Sequence, residues 1–263
     1  MRRRRNLRKV IFFALVIVGI CVPGVFATTL IGLRTPDGFI IAVDSKPTYR
    51  GPGIKGPPIV CKIFQLGSLY FSVAGLAEDR SRGFSPEKII ADNFSFADSL
   101  ARNMGRLELF LSGSLNDEMK RMKAEDPDNF ALGEKDGPYT LSIVAGEMVD
   151  GIPQMSARGL KYDHRSLKIT ITPLNCPGED CPNGTQFFFA GKADIAMNMA
   201  RDFFRSTTPR DPVADARSMV QAEIQAAPEA VGPPITIVRV DKNGASWPSN
   251  DAGCPILISA TQH

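Results

Sequence analysis

Residues Thr28–Asp44 read TTLIGLRTPDGFIIAVD, and the reading of the whole chain starts from them. Thr28 to Leu33 is a short apolar run. Thr35-Pro36-Asp37-Gly38 supplies turn residues, and Phe39 to Val43 is apolar again. Two apolar runs separated by Pro, Asp and Gly predict an antiparallel hairpin.

Working outward, residues 47 to 58 are rich in Pro and Gly and predict a loop. Ile59 to Leu66 and Leu69 to Ala74 predict a second strand pair, turned at Gly67-Ser68. Ser85-Pro86 then opens a helix with a cap and a proline in the first turn. Its apolar period runs from Ile89 towards Lys123, with a break expected at Ser112-Gly113-Ser114. Residues 125 to 138 read as a polar loop. Strands follow at about 139 to 148, 153 to 162, 167 to 172 and 187 to 190, then helices at 194 to 205 and 213 to 226, and a closing strand at 235 to 240. Strands, helices, strands, helices, strand is not the alternation of a doubly wound parallel sheet. It predicts the α+β class, a layered sandwich of largely antiparallel sheets with segregated helices.

Ahead of the hairpin, Arg2, Arg3, Arg4, Arg5, Arg8 and Lys9 precede an apolar run from Val10 to Ala27. A basic start, an apolar centre, Pro23-Gly24 and a small final residue are the marks of a signal peptide cut between Ala27 and Thr28. The alternative is an uncleaved membrane anchor at residues 10 to 27. The expected organisation is therefore a leader at 1–27 and one domain at 28–263, exported to the periplasm or secreted, with membrane contact only through an uncleaved leader. The net charge of +3 belongs to those six basic residues, so the rest is near −3. That leaves no electrostatic reason for a nucleic-acid partner. With only two histidines, His164 and His263, and no close Cys/His pairing, no metal or other cofactor is expected. His164, in a polar turn, reads as solvated. Cys176 and Cys181 could close a small loop, and Cys61 reads equally as a buried thiol or as one half of a bridge.

If the leader is removed at Ala27, Thr28 becomes a first residue carrying both a hydroxyl and an α-amine. The amine titrates near pH 8, so a fraction of it is free to take the hydroxyl proton as the oxygen attacks a carbonyl, and no histidine is required. A neighbouring lysine would depress the amine further, and a carboxylate would hold that lysine charged.

Thr28-Thr29-Leu-Ile-Gly32, Gly38-Phe-Ile-Ile-Ala42-Val-Asp44-Ser45-Lys46-Pro-Thr48, Lys62-Ile63-Phe64 and Ser72-Val-Ala-Gly75-Leu-Ala-Glu-Asp79 together resemble the opening of a proteasome β subunit, with the peptidase HslV as a close relative. The resemblance implies a four-layer αββα sandwich of the N-terminal nucleophile (Ntn) hydrolase type and a threonine peptidase. Thr28 would be nucleophile and base. Asp44 would orient Lys62, Lys62 would tune Thr28, and the Gly75 N–H would form an oxyanion hole. Thr48 and Ala77 would bind the backbone of a peptide or protein substrate as an added strand. A homo-oligomer or ring is implied in the same way.

Departures are specific. Lys192 stands where active members have serine, Lys46 where arginine is usual, and Ala27 where glycine is usual before the cut. Ala227-Pro228-Glu229 replaces a late Asp and Ser, leaving Glu229 as at best a displaced acid. Lys192 and the missing late Asp and Ser favour an alternative in which the sandwich is a non-catalytic structural or binding module, while Ala27 favours signal peptidase over self-cleavage.

Overall fold

The computed structural model describes residues 28–47, 59–76, 84–133, 140–178, 181, 184–205 and 210–258. Residues 1–27, where a leader is expected, and Thr48 and Ala77, expected to bind substrate, lie outside the described residues. In chain order the elements are β1 (Thr29–Thr35), β2 (Gly38–Asp44), β3 (Ile63–Leu66), β4 (Leu69–Gly75), α1 (Pro86–Asn93), α2 (Leu100–Glu125), α3 (Pro127–Gly133), β5 (Leu141–Val149), β6 (Ile152–Asp163), β7 (Lys168–Cys176), β8 (Gln186–Gly191), α4 (Asp194–Arg205), α5 (Pro212–Ala226), β9 (Ile235–Asp241), β10 (Gly244–Ser249) and β11 (Ile256–Leu257).

The expected α+β class holds. One five-stranded sheet runs β10-β9-β2-β1-β8 and one six-stranded sheet runs β11-β3-β4-β5-β6-β7. Every pairing between named strands is antiparallel except β11 with β3. Side-chain alternation along the first hairpin divides its burial between two cores. Leu30, Phe39, Ile41 and Val43 join Tyr70, Ala74, Val144 and Met155 in a cluster fed by both sheets. Ile31, Leu33, Ile40 and Ala42 turn the other way, onto Ala196, Ala200, Met219 and Val220 of α4 and α5. On the six-stranded sheet, Phe71, Val73 and Ile143 pack against Leu107, Leu111 and Leu115 of α2. Strands buried on both faces read as continuous apolar runs, which is why β1 and β2 carry so few polar residues.

The helical break lies elsewhere than expected. α2 runs unbroken through Ser112-Gly113-Ser114 because the buried stripe Leu107, Leu111, Leu115, Met119 continues across, and the Ser112 hydroxyl is accommodated by donating back to the Glu108 carbonyl at 2.5 Å. The chain breaks at Phe94–Ser99 instead. There the Asn103 side chain takes the Ser95 N–H at 2.8 Å and donates to the Ser95 carbonyl at 2.7 Å, while the Ser99 hydroxyl caps α2. Three short elements carry too little pattern for sequence reading: α3 in the polar loop, and β10 and β11, which follow the strand expected to close the chain.

His164 is not a solvated side chain. It is half-buried, its ring 4.4 Å from that of Phe130 and 5.3 Å from that of Tyr162. The cysteine alternatives resolve as two disulfides, Cys176–Cys181 and Cys61–Cys254, the second joining residues 193 apart in sequence.

Candidate active site

The ends of β1, β2 and β8 and the start of β3 meet around Thr28. Asp44, the last residue of β2, is fully buried, and its carboxylate accepts four N–H donors. Oδ1 accepts from Thr29 N at 3.0 Å and from Lys62 Nζ at 2.9 Å. Oδ2 accepts from Lys46 N at 3.1 Å and from Gly232 N at 3.2 Å. Those four bonds tie the start of β1, the lysine ahead of β3 and the loop before β9 to one carboxylate, and charge-assisted bonds of this kind are stronger than neutral ones.

Lys62 completes the line. Its ammonium donates to Asp44 and, at 3.1 Å, to the Thr28 hydroxyl oxygen. Burial pushes the Lys62 ammonium below the usual lysine range, Lys46 acts in the same direction, and the Asp44 charge and hydrogen bond oppose both. Its side chain is 12% exposed, so the charge sits at the edge of solvent beside a nearly buried Thr28.

Thr28 is pinned from the other side. Its carbonyl accepts from Lys192 N at 2.9 Å, and the Thr29 hydroxyl donates to the Lys192 carbonyl at 2.7 Å. Gly191, paired across from Thr29, has φ +71, and a Cβ there would collide with the Thr28 carbonyl oxygen. Gly191→Ala is therefore expected to cost about 3 kcal/mol, combining a left-handed backbone with a backbone collision. Chemical denaturation of the variant measures it.

No protein-family model matches the chain. No curated protein matches it either. Among solved structures, the chain is similar to a Gly-1 mutant of Anbu from Hyphomicrobium sp. strain MC1, at 14% identity and a TM-score of 0.44, over 86% of this chain and 89% of that one. At those values the likeness carries no argument about residues or activity. The resemblance to proteasome β subunits and HslV drawn from residues 28 to 79 is corrected by the family comparison, in which no model of either matches the chain. Roles carried over from that resemblance rest from here on this chain's own geometry.

That geometry brings Thr28, Asp44 and Lys62 together. Gly75 ends β4 at φ +91, where a Cβ would collide with the Thr140 carbonyl, so its glycine is required by the backbone. It follows Ala74, which faces Gly191 beside Thr28. Lys46 does not enter the line: its ammonium donates to the carbonyls of Pro228 at 2.6 Å and Glu229 at 2.8 Å, fixing the loop that presents Gly232. The aliphatic stem of Lys46 lies where a Cβ on Gly232 would fall, 2.9 Å from Cδ, so the loop approaches only as glycine. Lys192 pairs with Asp194 at 2.6 Å on the surface.

Sequence reading missed Glu223. It is fully buried, and its Oε1 accepts from Ile195 N at 2.6 Å and Ala196 N at 3.0 Å, holding the first turn of α4. A lone Glu within the buried stripe Ala216, Met219, Val220, Ile224 was the signal available.

Proposed function

We propose that residues 28–263 form an N-terminal threonine amidohydrolase that cleaves peptide bonds once residues 1–27 are removed. The observation that carries this reading is the line of hydrogen bonds from Thr28 Oγ1 to Lys62 Nζ at 3.1 Å and from Lys62 Nζ to Asp44 at 2.9 Å. Removal of the leader converts the Thr28 amide nitrogen into a free α-amine. The helix-faced sheets, with one cluster between them and one on each outer face, support an αββα layering for the unit. Two disulfides support an exported location, since such bonds persist in oxidising compartments.

In the proposed reaction the Thr28 hydroxyl oxygen attacks the substrate carbonyl carbon while its proton passes to the α-amine. Lys62, held charged by Asp44, stabilises the developing negative charge at Oγ1. The Gly75 N–H is the proposed donor to the carbonyl oxygen. The C–N bond breaks as the leaving nitrogen takes the proton, and water, activated by the same amine, hydrolyses the ester on Thr28.

Two titrations bound the rate. The α-amine must be free, and charged Lys62 beside it holds its pKa below the ordinary value of about 8, so the rate rises with pH through that lowered value. Lys62 must be charged, so the rate falls as its lowered pKa is passed, earlier than for an ordinary lysine. A pH–rate profile of the chain beginning at Thr28 checks both limbs.

Thr28→Ala in that same chain tests the reading directly. Loss of all amide hydrolysis above background supports it. Hydrolysis that survives refutes it and leaves a hydrolase of another kind, and absence of hydrolysis in the unaltered chain beginning at Thr28 refutes it in favour of a non-catalytic binding module.

A further inference from the structure

Lys62 lies just outside the sheet that should hold it. Pairing between β3 and β4 begins at Ile63, so residues 59 to 62 run on without a strand partner. Apart from the bonds of the Lys62 ammonium itself, what fixes this segment among the described residues is the Val60 N–H donating to the Ser45 carbonyl at 3.0 Å and the disulfide from Cys61 to Cys254. Cys61 is the residue next to Lys62.

Cys254 itself is tightly held. The Asn250 side chain donates to the Cys254 carbonyl at 2.6 Å and accepts the Cys254 N–H at 2.6 Å. Past it the chain turns along β3, with Ile256 beside Phe64, Leu257 beside Gln65, and Ile258 N–H donating to the Gln65 carbonyl at 2.9 Å. The C-terminal segment is thus a strap over the outer edge of β3, bolted at one point. That bolt stands one residue from a side chain that must hold two distances at once.

We propose that the Cys61–Cys254 disulfide, braced by Asn250, positions Lys62 beneath Thr28, and that its reduction by a dithiol releases Lys62 from that position. This rests on the Thr28 reading for its consequence in catalysis, though not for the release itself. The exchange is balanced. One thiolate of the dithiol attacks a sulfur of the bridge, the second displaces the mixed disulfide, and the products are the Cys61 and Cys254 thiols and the oxidised dithiol. Positioning matters because a displacement of about 1 Å at a reacting group costs on the order of a hundredfold in rate.

The test uses the full chain and an amine-acylating ester, with the rate at Lys62 read by peptide mass spectrometry against exposed Lys242. Hydrogen exchange in β9, on the other sheet, reports whether the fold persists. With the bridge reduced, or in Cys61→Ser/Cys254→Ser, Lys62 is expected to acylate about tenfold faster while β9 stays protected, the signature of local release. Asn250→Ala, with the bridge intact, is expected to move Lys62 in the same direction.

Lys62 reactivity that does not change, or that rises only together with loss of protection in β9, overturns the proposal. Acylation reads Lys62 whether or not the chain cleaves amides, so this outcome is separate from failure of the proposed activity. In the chain beginning at Thr28, reduction is also expected to lower kcat at constant KM and to move the alkaline limb of the pH–rate profile up towards an ordinary lysine. A lowered kcat with that limb unmoved would place the effect of the bridge somewhere other than Lys62, against the proposal.

Discussion

Asp44→Ala is expected to destabilise the fold by about 3–5 kcal/mol, the cost of removing one partner from a buried ion pair. The magnitude follows from what is left behind. Lys62 Nζ loses its only carboxylate among the described residues while its side chain stays 12% exposed. The N–H groups of Thr29, Lys46 and Gly232 lose their acceptor in the same step. Each unsatisfied buried donor carries its own desolvation penalty of about 1–3 kcal/mol, partly relieved where water enters. Asp44→Asn should recover little, because the amide presents N–H groups to a site already lined by donors. Urea denaturation of both variants measures the effect, and a loss below about 1 kcal/mol in each would show that the carboxylate is not holding the site together.

The same ion pair predicts a different result from its other end. Lys62→Met keeps the length of the stem and removes the charge, and Asp44 then retains three backbone N–H donors. Stability should fall by less than in Asp44→Ala, because those three donors still satisfy the buried carboxylate, whereas amide hydrolysis by the chain beginning at Thr28 should fall about 10³-fold, the scale for removing a group aimed at developing charge. Stability should also lose a pH dependence. Because burial lowers the Lys62 pKa in the fold, the unfolded chain binds more protons between that lowered value and the ordinary lysine range. The contribution of Lys62 to stability therefore rises with pH across that window, and Lys62→Met should remove this slope from a plot of Tm against pH. An unchanged hydrolysis rate in Lys62→Met would sever the lysine from the chemistry.

How far the sequence led depends on how local each signal was. The first hairpin was legible because its turn residues and two apolar runs lie within seventeen positions, Thr28 to Asp44. Ile59 to Lys62 looked like more of a strand, since β-branched residues and a cysteine suit one. A strand needs a partner, though, and the structure supplies a disulfide and one hydrogen bond instead. The break at Ser112-Gly113-Ser114 was misplaced because local propensity there is overridden by the buried leucines on either side. Meanwhile Asn103 ends α1 through bonds eight residues back, which no helical period reveals.

At the site, Thr28 could be named as the residue after the expected cut, whereas Asp44 and Lys62 were named only through the resemblance, and the structure brings the three together. What sequence could not supply was the route by which they are held. Gly191 stands against Thr28, Gly232 donates to Asp44 across 188 positions, and Cys254 bolts the segment next to Lys62. All three are long-range contacts made by residues whose types are common in turns and loops. Glu223 went unseen for a related reason, since a carboxylate serving as a helix cap from another helix leaves no local pattern. The family resemblance, built on residues 28 to 79, is matched by no family model.

The central claim is that a free α-amine on Thr28 makes this chain a hydrolase. The most direct measurement compares two proteins that differ by one residue, one beginning at Thr28 and one beginning at Ala27, each treated with an electrophile that closes a ring onto an adjacent hydroxyl and amine. The first is expected to gain the mass of one ring adduct at Thr28 and to hydrolyse peptide amides, and the second to do neither. Equal labelling and equal hydrolysis by both would contradict the claim.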